Sequence, residues 1–126
     1  MSRNTRVTKA TKATKATKAT KAAVNVDPFM GRYVVVRTYS AGVFAGTLVA
    51  RRDTKIVLRD VRRLWRWQTA NNGVSLSEVA VHGLNHAGSK ICCTEPLKEV
   101  EPIEISLVSG IAKTSITSAP EHVYVG

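Results

Sequence analysis

Beyond residue 31 the chain is a succession of short apolar blocks separated by polar turns, the rhythm of strands joined by hairpins. The block from Arg32 to Thr38 contains Val34, Val35 and Val36 in succession, and β-branched residues without alternation suit a strand buried on both faces. Tyr39, Ser40, Ala41 and Gly42 turn the chain into a second strand, Val43 to Ala50, in which Gly46 marks a bulge or a close backbone approach. After the polar turn Arg51 to Thr54, the stretch Lys55 to Arg62 alternates Ile56 and Leu58 with polar neighbours and is expected to return antiparallel to its predecessor. A three-stranded meander follows from this pattern. If extended, Arg62 to Gln68 places Leu64 and Arg66 on one face and Arg63, Trp65 and Trp67 on the other.

The second half changes period. Ser75 and Glu78 have the spacing of a capping box, and Val79, Ala80, Val81 and Leu84 follow, so a short helix is predicted from about Leu76 to His82 with Gly83 ending it. Lys90 to Thr94 and Glu99 to Val108 read as further strands, the latter interrupted by Pro102, which argues for an edge position. Ile111, Ala112, Ile116 and Ala119 define one side of a second short helix stopped by Pro120. The expected fold class is α+β: a β-rich antiparallel meander with one or two short helices, in a single domain over residues 26–126.

Residues 1–25 have no such rhythm. From Thr8 to Ala22 the triplet Thr-Lys-Ala occurs five times without a large apolar residue, so the segment cannot bury enough surface to fold and is expected to be disordered when free. It also carries most of the formal charge of +10: Arg3, Arg6, Lys9, Lys12, Lys15, Lys18 and Lys21 stand against no acid. Such a tail suits non-specific contact with DNA or RNA phosphates, or serves only to keep the protein soluble. The domain is lopsided too. Residues 32–66 hold nine basic side chains against Asp53 and Asp60, whereas residues 67–126 hold three lysines against six glutamates. The first half is the one that attracts anions.

Several functions have no support in this sequence. No apolar run is long enough for a membrane span, and lysines stand where a signal peptide has its apolar stretch, so a cytoplasmic protein without membrane contact is expected. Cys92 and Cys93 are neighbours, which disfavours an unstrained bridge and fits a reducing interior. There is no phosphate-binding Gly-rich loop, no nucleophile elbow and no Cys-x-x-Cys pair. His82 and His86 are four apart, but Gly83 between them argues that the helix has ended, so no metal site and no cofactor are expected. The protein is expected not to be an enzyme.

One segment does concentrate recognition chemistry. Arg59 to Trp67 holds four arginines and two tryptophans, with Tyr39 and Phe44 one or two strands away. Arginine forks donate paired hydrogen bonds to phosphate, and an indole offers a base a stacking face worth ~1–3 kcal/mol. The competing reading makes Trp65 and Trp67 core or interface residues and the arginines a charged edge that guards the sheet.

Three stretches carry a resemblance. Tyr33-Val-Val-Val-Arg-Thr-Tyr-Ser-Ala-Gly-Val-Phe-Ala-Gly-Thr-Leu, Val57-Leu-Arg-Asp-Val-Arg-Arg-Leu-Trp-Arg-Trp and Ser75-Leu-Ser-Glu-Val-Ala-Val-His-Gly together resemble a widespread family of short phage and prophage proteins, over about residues 33–106. That family is in turn similar to the phage anti-Thoeris sponges of the first described type, which sequester cyclic ADP-ribose isomers. The resemblance implies a sheet flanked by helices, self-association, ligand pockets between subunits and no turnover. The expected function is therefore sequestration of a small phosphate-bearing nucleotide of the cyclic ADP-ribose or cyclic oligonucleotide type, countering bacterial immune signalling. Arg37, Phe44, Arg62, Arg63, Trp65 and Lys90 are the candidate ligand residues, and replacing Arg62 and Arg63 together is expected to abolish binding with little loss of stability. The alternatives are a nucleic-acid-binding protein using Lys9, Lys12, Lys15, Lys18, Lys21 and Arg66, and a structural or protein-binding phage component.

Overall fold

The computed structural model describes residues 27–123. The Thr-Lys-Ala repeats, with Lys9, Lys12, Lys15, Lys18 and Lys21, lie outside the described residues, and so does the expected disorder of that tail. Strands β1 (Tyr33–Thr38), β2 (Val43–Arg52), β3 (Lys55–Arg66), β4 (Lys90–Val100) and β5 (Pro102–Leu107) form one antiparallel sheet in the order β4-β3-β2-β1-β5. Two short helices, α1 (Leu76–His82) and α2 (Gly110–Thr117), complete the expected α+β architecture. No described helix is long and apolar enough to cross a membrane.

The topology forces the sheet to curl. β4 and β5 are its two edges, yet only Glu101 separates them, with Val100 paired to Ile56 on one side and Pro102 paired to Thr38 on the other. Curling encloses Val34, Val36, Phe44, Leu48, Ile56, Leu58, Val61 and Val100 on the concave side. Each such side chain contributes about 1.5–3 kcal/mol on burial. The convex side carries Tyr33, Val35, Val43, Ala45, Leu64 and Ile91, and these pack against Val79 of α1, Ile116 of α2, Leu84 and Ala119. The valine run of β1 thus serves both cores, as its lack of alternation predicts.

A bulge halfway along β3 sets which residues share a face. Ala45 pairs with Arg62 and Thr47 with Arg59, so Asp60 and Val61 together oppose the single residue Gly46. The extra residue brings Arg59 and Arg62, three apart in sequence, to the same convex side. Glycine suits that position, because a Cβ would come within 3.1 Å of the Arg59 carbonyl oxygen and 3.3 Å of Val61 Cγ2, tighter than most such contacts. Asp60 has φ +53°, the left-handed region that favours glycine and that aspartate enters at some cost.

Three local expectations are revised. Lys55–Arg62 and the segment after it form one strand of 12 residues, not two elements. β4 continues through Pro96 to Val100, past the expected end at Thr94; as an edge strand it tolerates the missing N–H, and its ladder to β3 skips from Glu95 to Leu97 opposite the bulge. Ser75 precedes α1 but makes no side-chain cap, and the first turn is closed instead by Ser75 carbonyl accepting from the Glu78 and Val79 amides. Gly83 ends the helix as expected, at φ +90°, where a Cβ would also collide with Ser115 of α2 at 2.7 Å. α2 has the side-chain cap that α1 lacks, Ser109 Oγ accepting from Ala112 N at 3.1 Å.

Candidate anion-binding cleft

The six residues expected to hold a ligand are distributed over separate parts of the fold. Arg62 is on the convex side and only 4% exposed. Its Nε donates to the Cys92 carbonyl at 2.9 Å, and its Nη1 donates to the carbonyls of Ile116 and Ala119 at 2.9 and 2.7 Å. The guanidinium thus ties β4 to the C-terminal end of α2, where a cation also complements the helix dipole. Such commitment argues against the expectation that Arg62 and Arg63 can be replaced together with little loss of stability. Arg63 lies on the opposite side, 4.8 Å above the Phe44 ring and donating to the Ala41 carbonyl at 3.2 Å. Phe44 itself is a core residue of the concave cluster, 1% exposed. Arg37 is exposed beside Glu104 of β5.

Trp65 and Lys90 do meet. Lys90 Nζ sits 5.6 Å from the centre of the Trp65 ring, which is half exposed and stacks on His122 at 5.8 Å. Trp67 departs from Trp65: register shifts on either side of Leu64 turn it to the convex core, and its Nε1 donates to the Val74 carbonyl. Arg66, at the end of β3, is exposed and pairs in register with Lys90. His86 Nε2 is hydrogen-bonded to the Ser115 carbonyl at 2.8 Å, which gives it a structural role.

Cationic side chains converge elsewhere, in a cleft of about 370 Å³ between the convex face and α2. Its floor crosses three strands through paired positions, Tyr33 with Thr47 and Thr47 with Arg59, and continues to Arg62 and its partner Thr94. Lys113 and Thr117, four apart on one face of α2, form the wall. Asp60 stands at the rim, its carboxylate 3.7 Å from Arg59 Nε, with both side chains more than half exposed. The cleft therefore brings three cations and four hydroxyl-bearing residues around one carboxylate. Two other depressions on the surface hold their arginines in ion pairs: Arg51 is bound to Asp27 at 2.7 Å, and Arg52 is bound to Glu99.

Tyr33 adds a further feature. The residue is only 8% exposed, and its hydroxyl has no hydrogen-bond partner among the described residues. An unsatisfied buried hydroxyl costs about 1–3 kcal/mol and is uncommon in a native fold. Burial pushes this hydroxyl up to about 12; among the charges of the cleft, Arg62 opposes the rise and Asp60 adds to it. Lys113 Nζ lies 5.5 Å from the centre of the same ring. Tyr33 thus lines the base of the cationic cleft with its hydroxyl closed off from solvent.

Sequence reasoning missed Tyr33, Thr47, Arg59, Asp60, Lys113 and Thr117 as one group. Two signals pointed towards them: Gly46, which marks the bulge, and Asp60, a poor strand former in the middle of a strand. The i, i+4 pair Lys113 and Thr117 needed the α2 prediction to be taken one step further.

What these elements define is a curled antiparallel sheet with a cationic cleft under its second helix. Residues 31–116 match the family described as "Domain of unknown function (DUF6948)", and the chain belongs to that family. No curated protein and no solved structure matches it.

Proposed function

We propose that the protein is a non-enzymatic binder that holds a small phosphate-bearing nucleotide in the cleft between the convex sheet face and α2. The observation that supports this most is the convergence of Arg59, Lys113 and the unpartnered Tyr33 hydroxyl on one cleft. Arg59 and Lys113 are exposed enough to exchange water for a phosphate, while Arg62 holds the frame and lends its charge. A volume of about 370 Å³ falls in the range of pockets that enclose small ligands.

The finer reading is that the bound molecule is a cyclic ADP-ribose-type or cyclic oligonucleotide signal and that the protein acts as a phage sponge against bacterial immunity. Its support is the sequence resemblance. Exposed Val81, Leu107 and Ile111, gathered where Ser109 bonds back to the end of α1, favour a homo-oligomer. Thermal shift of the full chain against cyclic ADP-ribose isomers, cyclic dinucleotides and mononucleotides tests the proposal. A rise in Tm with one of them, intact ligand released on heating, and loss of the shift in the Arg59→Ala, Lys113→Ala double variant are the expected results. No shift with any member of the panel would remove the reading.

A second reading is favoured by the half-exposed Trp65 with Lys90 above it and Arg66 beside it: single-stranded nucleic acid bound by stacking, together with the basic tail. Its mark is binding that weakens steeply with salt and depends on Trp65, not on Arg59 and Lys113.

A further inference from the structure

Asp60 is out of place in a cleft that attracts anions. Its carboxylate lies 3.7 Å from Arg59 Nε, so it competes with any phosphate for that guanidinium. It also occupies a left-handed backbone position, φ +53°, where glycine is the least strained residue. The bulge accounts for the φ, which glycine, asparagine and aspartate all enter more readily than other residues, as Asp53 does at the same φ, so the backbone permits an acid here but does not require one.

A carboxylate accepts hydrogen bonds and donates none, so its natural counterpart on a ligand is a pair of neighbouring donors. Combining an anion for Arg59 and Lys113 with such donors for Asp60 describes a phosphorylated sugar that keeps its vicinal hydroxyls. We propose that Asp60 selects a ribonucleotide over deoxyribonucleotides and bare phosphates by accepting hydrogen bonds from the ribose hydroxyls while Arg59 and Lys113 hold the phosphate. This rests on the reading of the cleft as a phosphate site. The charge of Asp60 weakens binding of a bare anion, and the hydroxyls offset that loss only when they are present. Discrimination arises because an analogue without the hydroxyls leaves the carboxylate facing a phosphate with nothing to accept.

The test is titration calorimetry of the full chain at about 0.15 M salt, where exposed charges more than ~8 Å apart are largely screened. The ligands are adenosine monophosphate, its dideoxy analogue lacking both ribose hydroxyls, and inorganic pyrophosphate. The unaltered protein is expected to bind adenosine monophosphate about tenfold or more tighter than the dideoxy analogue. Asp60→Gly should erase that ratio and bind pyrophosphate more tightly than the unaltered protein does. Asp60→Asn, which suits the same backbone, should keep the fold, lose most of the ratio and so exclude an effect of the glycine alone. If the unaltered protein binds all three ligands equally, or if Asp60→Gly leaves the ratio intact, the ribose inference is overturned while the phosphate cleft stands. If it binds none of them, and Arg59→Ala changes nothing, the cleft reading falls and the inference with it.

Discussion

Replacing Arg62 by alanine is expected to destabilise the fold by about 3 kcal/mol. The side chain donates three hydrogen bonds, to the carbonyls of Cys92, Ile116 and Ala119 at 2.9, 2.9 and 2.7 Å. Bonds to a charged group contribute about 1.5–3 kcal/mol each, and buried carbonyls left without a donor lose about 1–3 kcal/mol. Against this, alanine removes the several kcal/mol needed to take a guanidinium out of water. The net loss is therefore well below the sum of the three bonds, yet well above the effect of an exposed arginine. For a domain of this size, each kcal/mol moves Tm by about 4–5 °C, so a fall of about 12–15 °C is expected. Urea and thermal unfolding followed by circular dichroism read this directly, with Arg63→Ala as the control. Arg63 donates one bond of 3.2 Å and sits over Phe44, an arrangement worth about 1 kcal/mol. Should Arg62→Ala unfold within about 0.5 kcal/mol of the unaltered chain, comparable to an ordinary surface change, the strut role is wrong. Arg62 would then be available as the ligand residue that its sequence neighbourhood suggests.

Three further outcomes are expected. Tyr33→Phe removes a buried hydroxyl without a partner among the described residues and should leave the unliganded protein unchanged or more stable by up to about 1 kcal/mol, while weakening nucleotide binding, as calorimetry would show. The same hydroxyl makes stability depend on alkaline pH. Its pKa in the folded state is raised to about 12 from 10.0, so the unfolded chain releases this proton first; stability is fully present below pH ~10 and falls as pH rises towards 12. The loss reaches roughly 2–3 kcal/mol, and denaturant titrations between pH 9 and 12 should show it in the unaltered protein but not in Tyr33→Phe. Gly46→Ala should cost about 1–3 kcal/mol in unfolding experiments, because its Cβ would meet the Arg59 carbonyl and Val61 at the bulge, and the cleft floor would shift with it.

The sheet was legible because its strands are written in β-branched runs and polar turns, and because Gly46, Gly83 and Pro102 punctuate it where the backbone requires. Side-chain alternation alone also separates Arg62 from Arg63. What alternation cannot say is what covers each face. Arg62 shares a face with Leu64, and the helix that descends on that face comes from residues more than forty positions later, so its carbonyl partners were invisible. Phe44 belongs to a core that also takes in Val100 of β4 and Ile105 of β5, from the two edges of the sheet, and no local pattern reports that. The cleft was hidden for a related reason: one bulged residue moves Arg59 to the side of Arg62, and a strict period of two assigns them to opposite faces. Trp65 and Trp67 show the same effect in reverse, since a strict alternation keeps together two rings that the register shifts separate.

The location of the ligand is the central claim, and amide chemical-shift mapping of the full chain during titration with adenosine monophosphate tests it most directly. Shifts concentrated at Thr47, Arg59, Asp60, Thr94, Lys113 and Thr117, and absent from the Arg59→Ala, Lys113→Ala variant, are the predicted result. Shifts centred on Trp65, Lys90 and Arg66, or confined to residues before Asp27, would contradict it and move the binding function to the aromatic patch or the tail.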